Sequence, residues 1–308
     1  MGLFDKLVKK KKEAPWDYQG SGSDRDLESL HFRDSENGWI VGQKGTVLVT
    51  ANGGRNWQGR PNRVIWQNLN AVAFPDPLRG WVAGKLGAIS ATVDGGLNWE
   101  QQTQPMEEEV TDLEMLDLQH GLACGAGGHI WRTEDGKTWE VVQTGAGRHL
   151  RALSLLDAKN AWIVGDAGTL LKTSDGGRGW EAVRTPEPEH FTDVHFNDLQ
   201  TGWLVSSQQI LRTTDGGASW LTWKNQYYED TIRGIWMLSK QNGWAVGGTS
   251  EENTSLFFQT SDGGATWERF VKKGVGFNFL NKVQFTDSER GWACGHSGVI
   301  VHFVPAAA

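Results

Sequence analysis

Two arginines occupy matching positions in a repeated sequence pattern. Arg151 and Arg233 fall at the same point in two copies of a repeat of about 41 residues. The other copies also place polar residues there, namely Glu28, Asn70, Thr111, Thr192 and Asn281. A guanidinium group offers five donors in a planar fork that matches a carboxylate. The pattern therefore predicts a polar ring whose two arginines bind carboxylates of a partner.

Lysines in nearby turns would enlarge the positive part of this ring. Lys44 and Lys85 lie in the glycine turns of the first two repeats, at residues 42–45 and 84–87, and Lys282 directly follows a ring position. One alternative remains open for the arginines. Each of them would then pair with an acid of its own chain, such as Glu28 or Asp230, and would not be available to a partner.

Aromatic residues in the connections between repeats are a second set of candidate contacts. The set consists of Trp66, Trp223, Tyr227, Tyr228 and Phe277. Large aromatic side chains in exposed connections are typical of binding surfaces. The alternative is that each one folds back over its own repeat and only covers apolar surface.

No arrangement of residues indicates catalysis, a metal or a cofactor. The eight histidines show no spacing typical of metal ligands, and His31 and His195 belong to distant repeats. The glycine pairs recur in tight turns and match no phosphate-binding loop. The sequence therefore predicts a binding scaffold that is not an enzyme.

The repeat that must position these residues is clearest in one stretch, residues 161–180, AWIVGDAGTLLKTSDGGRGW. A short apolar strand reaches a glycine turn, and a second strand runs into a Ser/Thr-x-Asp-x-Gly-x-x-Trp segment, known as an Asp box. The Asp accepts amide hydrogen bonds, the glycines adopt positive φ, and the Trp covers the turn. We interpret the box residues as structural and not as metal ligands. They are Asn52, Asp94, Asp135, Asp175, Asp215 and Asp262.

The copy number predicts the fold. The strand Trp, or a Leu in one copy, recurs seven times, at Trp39, Trp81, Leu122, Trp162, Trp203, Trp244 and Trp292. The box Trp occurs only six times, from Trp57 to Trp267, and Trp16 lies one repeat length before Trp57. Each repeat also begins with an apolar strand. We therefore predict an all-β, seven-bladed β-propeller of four-stranded antiparallel blades, with an N-terminal strand at about residues 14–19 closing the last blade.

The domain boundaries follow from this closure. The propeller is predicted to span residues 14–304, with a tail at 1–13, basic and either amphipathic or disordered, and a disordered C-terminus at 305–308. The inner strands of the last blade would run from Phe277 to Phe303. The ring residues would surround the mouth of the central channel, on the face opposite the Asp boxes.

The recurring Gly-Trp-x-Val-Gly-x-x-Gly and Thr-x-Asp-Gly-Gly-x-x-Trp segments resemble the photosystem II assembly and stability factor-like β-propellers, which belong to the Asp-box (BNR) repeat proteins. The resemblance covers about residues 14–304. It implies a non-catalytic scaffold that binds a protein partner through basic residues and assists the assembly or stability of a larger complex, membrane-associated complexes included.

A second class of function shares the Asp box. Sialidases are Asp-box propellers that hydrolyse glycosides, so carbohydrate binding or hydrolysis at the same face, with the aromatics as stacking platforms, is the alternative. Sialidases need an arginine triad and a Tyr/Glu pair. The chain has three tyrosines, and its segment at 59–63 does not match the sialidase start motif.

Composition limits the partners and the location. Forty glycines and seventeen tryptophans fit recurrent turns, and the net charge of −7 argues against binding of nucleic acid. Cys124 and Cys294 occupy equivalent core positions in repeats that are not neighbours, so no disulfide is expected. No signal peptide or membrane span is evident. We expect a cytoplasmic protein, either a monomer or a subunit of a larger complex.

The first twelve residues lie outside the repeats. Leu3, Phe4, Leu7 and Val8 follow helical spacing, and five lysines accompany them against one aspartate. Three outcomes are open, namely weak contact with an anionic membrane surface, docking onto a protein, and a solvated tail. The first of these would place the protein peripherally at a membrane.

Overall fold

The described residues form seven sheets arranged as the blades of a β-propeller, which confirms the predicted fold. The computed structural model describes residues 12–60, 66–251, 254–274 and 279–305. The innermost strands of consecutive blades contact each other, and the last contacts the first, so the ring closes. A single blade could not bury both of its faces, and stacking in a ring solves this problem for all seven.

Each blade has four antiparallel strands. The innermost strands are Leu27–Phe32, Leu69–Ala73, Val110–Met115, Leu150–Leu155, Phe191–Phe196, Asp230–Met237 and Leu280–Phe285. The second strands are Asn37–Gly42, Gly80–Gly84, Gly121–Gly125, Ala161–Gly165, Gly202–Ser206, Gly243–Thr249 and Gly291–Gly295. The third strands are Thr46–Ala51, Ile89–Thr92, Ile130–Thr133, Leu170–Thr173, Gln209–Thr213, Thr254–Thr260 and Ile300–Phe303. The outer strands are Gln58–Gly59, Glu100–Gln101, Glu140–Val142, Glu181–Ala182, Leu221–Lys224, Glu268–Lys273 and, in blade 7, Trp16–Gln19.

The turns define two faces of the ring. The mouth face holds the turns between second and third strands and the connections to the next blade. In five blades that turn is a single 3₁₀ turn, at Gln43–Gly45, Lys85–Gly87, Ala126–Gly128, Asp166–Gly168 and His296–Gly298. The box face holds the Asp boxes and the hairpins between first and second strands. Blade 6 differs, because its longer second and third strands extend it at the mouth face.

The core lies between blades and is organised by the second-strand Trp, which six of the seven repeats carry. Trp39 of blade 1 stacks on Phe74 of blade 2 with ring centroids 3.9 Å apart. Trp162 and Trp292 stack in the same way on Phe196 and Phe32 of the blades that follow them. A Cβ added at Gly80 would lie 2.4 Å from the Phe74 ring, so glycine is needed before the Trp strand. In these blades the second-strand Trp therefore packs on the aromatic ring of the next blade, and a glycine such as Gly80 leaves room for the aromatic ring of its own blade.

The two chain ends meet in blade 7, as predicted. Residues Trp16–Gln19 pair antiparallel with Ile300–Phe303. The structure adds a contact that the sequence did not predict, since Lys12 and Glu13 pair in parallel with Phe270 and Val271 of blade 6. The predicted tail therefore ends earlier than residue 13. Residues 1–11, Phe277 and residues 306–308 lie outside the described residues.

Candidate functional site

The seven predicted ring residues line one cavity of about 550 Å³ at the mouth of the channel. A β-bulge in every innermost strand places them there. In blade 1, for example, the pairing shifts between Leu27 and Ser29, which leaves Glu28 unpaired. The same shift occurs at the equivalent position of the other six blades. Because a bulge turns two successive side chains toward one side, residues that follow ring positions, such as Asp112 and Lys282, also line the cavity.

Three ring residues tie neighbouring blades together. Asn70 Nδ2 donates to the carbonyl oxygen of Val110 at 2.8 Å, and Thr111 Oγ1 donates to that of Leu150 at 2.8 Å. Asn281 Nδ2 donates to the carbonyl oxygen of Leu27 at 2.9 Å, across the junction of blades 7 and 1. The innermost strand is a sheet edge, and these side chains satisfy carbonyls that the sheet leaves without partners. These three positions are therefore structural.

Arg151 is exposed at the mouth and pairs with an acid of its own blade. Its Nε lies 2.6 Å from Asp166 Oδ1, and His190 Nδ1 lies 2.9 Å from the same oxygen. Burial alone would raise the pKa of Asp166, but the hydrogen bonds from Arg151 and His190 hold it below its ordinary value. The alternative raised for the arginines, pairing with an acid of the same chain, therefore holds for Arg151. The acid is Asp166 and not Glu28 or Asp230.

Arg233 is bound by neutral groups. Its Nη1 donates to Asn281 Oδ1 at 2.5 Å and lies 2.8 Å from His296 Nε2, and its guanidinium lies 5.1 Å from the centre of the Phe279 ring. Among the described residues, no carboxylate lies within ion-pair distance of it. Burial lowers the pKa of Arg233, and the field of Glu28 opposes that effect. Of the two arginines, only Arg233 thus has a guanidinium group that is not paired with a carboxylate of the described residues.

Asp230, the other acid suggested for the arginines, belongs to a different pair. Its carboxylate is buried and accepts two hydrogen bonds from Arg269, at 2.6 and 2.9 Å. The guanidinium of Arg269 in turn lies 4.8 Å from the centre of the Tyr227 ring. This cluster anchors the connection that carries Tyr227 and Tyr228 at the mouth face.

Below the ring, a charged cluster crosses the channel. Lys282 Nζ lies 2.9 Å from Asp193 Oδ1 and 3.8 Å from Asp112 Oδ2, which brings blades 3, 5 and 7 together. The two aspartates also accept main-chain N–H bonds from Leu153 and Ile235 of the next blades. Lys282 therefore does not extend the basic patch, because its charge is matched by carboxylates within the channel.

Glu114 lies at the next channel position of blade 3. Its Oε2 accepts a hydrogen bond from the main-chain N–H of Leu155 at 2.8 Å. Burial, together with the negative charge of Asp112, raises the pKa of Glu114 to about 8. The sequence contained one signal for this charged layer, since Asp112, Asp193 and Lys282 occupy the same position in their repeats.

The remaining lysines and most of the aromatics lie on the mouth face. Lys44 and Lys85 are exposed in its turns. Burial and the charge of Asp26 raise the pKa of Glu28, and the charges of Arg233 and Lys85 oppose that rise. Trp66 is 71% exposed and Tyr228 is 87% exposed, so both are available for contact.

Trp223 is not in a connection, contrary to the prediction. It lies within the outer strand Leu221–Lys224 and packs edge-on against Phe258 of blade 6, with ring centroids 5.4 Å apart. The reason is that this outer strand continues four residues beyond Trp220, which the box spacing alone did not show. Trp223 is half-buried and covers the interface between blades 5 and 6.

The Asp boxes lie on the opposite face, and their geometry supports a structural role. In blade 5, Asp215 Oδ1 accepts hydrogen bonds from Thr213 Oγ1 at 2.8 Å and from the N–H of Ser219 at 2.9 Å. Asn52 makes the equivalent two bonds in blade 1. Asp94, Asp175 and Asp262 repeat this pattern, and Asp135 binds nearer amides because its box is one residue shorter.

Metal-binding clusters and membrane-spanning helices are absent from the described residues. No three His, Cys, Asp or Glu side chains within them are arranged to hold a metal ion. No helix in this part of the chain is long and apolar enough to cross a membrane. Cys124 and Cys294 are buried in separate blades and are not joined to each other.

Comparison with solved structures finds propellers of the same shape. The structure of YCF48 bound to D1 peptide has a TM-score of 0.80 at 20% identity and covers 96% of this chain and 99% of that chain. YCF48 from Cyanidioschyzon merolae has a TM-score of 0.74 at 21% identity and covers 95% and 99%. An ancestral GH74 enzyme has a TM-score of 0.69 at 12% identity, but only 45% of that chain is covered. These likenesses show the fold.

Sequence comparison gives the family. No curated protein sequence matches the chain. The family model described as photosynthesis system II assembly factor YCF48 matches residues 8–103, 98–188 and 178–269. Because these matches together span most of the chain, the protein belongs to the YCF48 family of photosynthesis system II assembly factors.

Proposed function

We propose that the protein is a non-catalytic scaffold that binds a protein partner through its mouth face and so assists the assembly or stability of a larger complex. The observation that carries this proposal is Arg233, a guanidinium at the channel mouth whose described hydrogen-bond partners are neutral. A carboxylate of a partner would supply the charge that Asn281 and His296 do not. The family provides the class of function, since its members are described as assembly factors.

The surroundings of Arg233 favour a polypeptide as the ligand. Trp66 and Tyr228 are exposed on the same face, where they offer large apolar contact areas beside the charge. The cavity is open and lined by residues of all seven blades, so it suits an extended segment that contacts several blades. A structurally similar YCF48 has been solved with a D1 peptide bound.

Hydrolysis of carbohydrate finds no support at the same site. The channel carboxylates Asp112 and Asp193 accept main-chain hydrogen bonds and face Lys282, so they are engaged in holding blades together. The similarity to the GH74 enzyme is a likeness of fold. We also propose a cytoplasmic location and association with a membrane complex.

Binding of a synthetic D1 peptide to the full chain tests the proposal. We expect Arg233→Gln to weaken binding at least about tenfold, because one charged pair at an interface is worth more than 1.4 kcal/mol. Glutamine preserves a donor for Asn281, so the fold should survive. Arg178→Gln is the matched control, because Arg178 is exposed on the box face.

Co-purification extends the test to partners other than D1. Tagged wild-type and Arg233→Gln proteins would be isolated from native cells and the retained proteins compared. A second variant combines Trp66→Ala with Tyr228→Ala. If it and the Arg233→Gln variant lose the same proteins, the mouth face is supported as the binding surface. Equal retention by every variant, together with equal peptide binding, would show that the partner binds elsewhere.

A further inference from the structure

Blade 2 carries an apolar patch on the box face, away from the channel mouth. The patch consists of Leu78, Val93 and Leu97, whose side chains are 58%, 75% and 53% exposed. Leu78 lies in the hairpin between the first and second strands, and Val93 and Leu97 flank the Asp box of the same blade. Exposed apolar residues grouped in this way mark a surface that another molecule covers.

The other blades show that folding does not require these residues. The position of Leu78 is polar in all six other repeats, where it is Glu36, Gln119, Lys159, Gln200, Gln241 and Glu289. The position of Leu97 holds Arg55, Arg178, Ala218 and Ala265, and that of Val93 holds Ala51, Glu134, Ser174, Thr214 and Ser261. Turns with the same Asp-box hydrogen bonds thus form with small or polar residues. Three apolar residues on one blade therefore indicate a role beyond the turn.

A groove of about 930 Å³ runs beside the patch, between blades 2 and 3. Val93, Trp99 and Leu118 contribute apolar surface to its lining. The Asp box of blade 3 is one residue shorter than the others and also lines the groove, through Asp135 and Gly136.

The groove is acidic. Its lining includes four carboxylates, Asp94, Glu100, Asp117 and Asp135, against two basic residues, Arg79 and Lys137. Arg79 is already paired with Asp76 at 2.7 Å. Burial opposes ionisation of Asp94 and Asp117. Hydrogen bonds from the main chain and side chain of Asn98 hold the pKa of Asp94 below its ordinary value, and those from the side chain of His120 and nearby main-chain amides do the same for Asp117. The groove therefore suits a segment that is both apolar and basic.

The chain contains one segment with this composition. Residues 1–11 combine Leu3, Phe4, Leu7 and Val8 with four lysines. Lys12 and Glu13 run parallel to Glu268–Lys273, which begins directly after the Asp box of blade 6. The N-terminal end of the short strand therefore points toward the box face, where the groove also lies. Blades 6 and 2 are three positions apart in a ring of seven, so the segment does not start beside the groove of its own molecule, and a groove on a second molecule offers the same surface.

We propose that residues 1–11 of one copy dock in the groove beside Leu78, Val93 and Leu97 of a second copy. In this arrangement the segment of each copy occupies the groove of the other, and such a symmetric pair of contacts closes into a dimer. The two rings then meet through their box faces. Both mouth faces stay open for partner binding.

Analytical ultracentrifugation of the full chain tests this dimer. We expect the wild type to dimerise in a concentration-dependent manner, and rising salt to weaken the dimer because lysines face carboxylates. The groove variant Val93→Asp with Leu97→Asp and the segment variant Leu3→Asp with Phe4→Asp should each raise the dissociation constant at least about tenfold. Leu199→Asp is the matched control, since Leu199 is also exposed on the box face but belongs to blade 5, and it should leave the dimer unchanged.

Mixing the two variants provides the sharper result. A groove variant has an intact segment and a segment variant has an intact groove, so together they form one of the two contacts. The mixture should therefore associate more strongly than either variant alone. A wild type that stays monomeric, a dimer that both variants leave intact, or a mixture no stronger than its components would overturn the proposal. Loss of binding to anionic vesicles in the segment variant alone, with no dimer, would assign the segment to membranes instead.

Discussion

Trp16 stacks on Phe257 of blade 6, with ring centroids 5.0 Å apart, while its own strand completes blade 7. Its ring also meets Trp244, Phe285 and Phe303 edge-on, at 5.4 to 5.7 Å. One residue near the start of the chain thus joins the last two blades. The closure of the ring depends on this packing as well as on the strand pairing.

Replacement of Trp16 by Ala should lower the free energy of unfolding by about 3 to 5 kcal/mol, because the side chain is fully buried among aromatic rings. Denaturant unfolding followed by tryptophan fluorescence measures the change. Trp66→Ala is the control, since that side chain is exposed, and its effect should stay within about 0.5 kcal/mol. Equal unfolding midpoints for Trp16→Ala and the wild type would mean that the N-terminal strand does not close the ring in solution.

The sequence predicted the fold because most blades repeat the same local requirements, namely a Gly-Trp strand, a glycine turn and, in six of the seven, an Asp box. It also predicted the ring of seven mouth residues, since equivalent repeat positions become neighbours once the ring closes. It did not predict what each arginine binds. The partner of Arg151 lies 15 residues away, in the 3₁₀ turn of its own blade, and a repeat pattern does not encode such contacts.

The charged layer below the ring was missed for a related reason. Lys282 meets Asp112 and Asp193 across the channel, and these residues are far apart in sequence and come from blades that are not adjacent. Only the bulge, which turns two successive residues toward the channel, brings them together. Trp223 was misplaced because the length of an outer strand varies from blade to blade.

Glu114 should make the stability fall as the pH rises. Its pKa is about 8 in the folded protein, above its ordinary value of 4.5, so the folded state holds a proton that the unfolded state has lost. The stabilisation is complete below pH 4.5 and is lost as the pH rises through about 8, with a slope of at most about 1.4 kcal/mol per pH unit. Measurement of the unfolding free energy from pH 5 to about pH 9 tests this expected fall in stability.

The control for this pH dependence is Glu114→Gln. Glutamine can still accept the hydrogen bond from the N–H of Leu155 but cannot ionise. The variant should match the wild type at low pH and exceed it at high pH. If the difference between the two proteins is the same at every pH, Glu114 is ionised throughout and the expectation is wrong.

Removal of Arg269 should destabilise blade 6. Arg269→Ala leaves the carboxylate of Asp230, which is only 1% exposed, without its partner. Breaking a buried ion pair from one side costs about 3 to 5 kcal/mol. The double variant Arg269→Gln with Asp230→Asn removes both charges and should recover part of that loss, as measured by thermal unfolding. A double variant less stable than Arg269→Ala would show that the unpaired charge is not the cause.

The ion pair of Arg269 and Asp230 should also order the connection at residues 225–229 on the mouth face. The guanidinium of Arg269 lies over the Tyr227 ring, so its loss removes one of the contacts that hold residues 225–229. Faster hydrogen exchange in this connection is expected for Arg269→Ala under conditions where the protein stays folded. Unchanged exchange there, beside a lowered unfolding temperature, would limit the role of Arg269 to stability.

The Asp boxes provide their own control, because Asn52 already replaces Asp in blade 1 and still makes both turn bonds. Asp262→Asn should therefore be mild, since Oδ1 can still accept from Thr260 Oγ1 and from the N–H of Thr266. Asp262→Ala removes both bonds and should cost about 1 to 3 kcal/mol in unfolding free energy.

The two variants should also differ from the wild type in acid. Burial opposes ionisation of Asp262, but the hydrogen bonds from Thr266 and Thr260 together outweigh it and lower the pKa to about 2. Because the folded value lies below the ordinary 3.8, the carboxylate stabilises the fold above that pH and loses this effect as the pH falls toward 2. Acid unfolding of the wild type should show this loss at the blade 6 turn, and Asp262→Asn should not. If Asp262→Asn is as unstable as Asp262→Ala at neutral pH, the charge and not the turn geometry holds the box together.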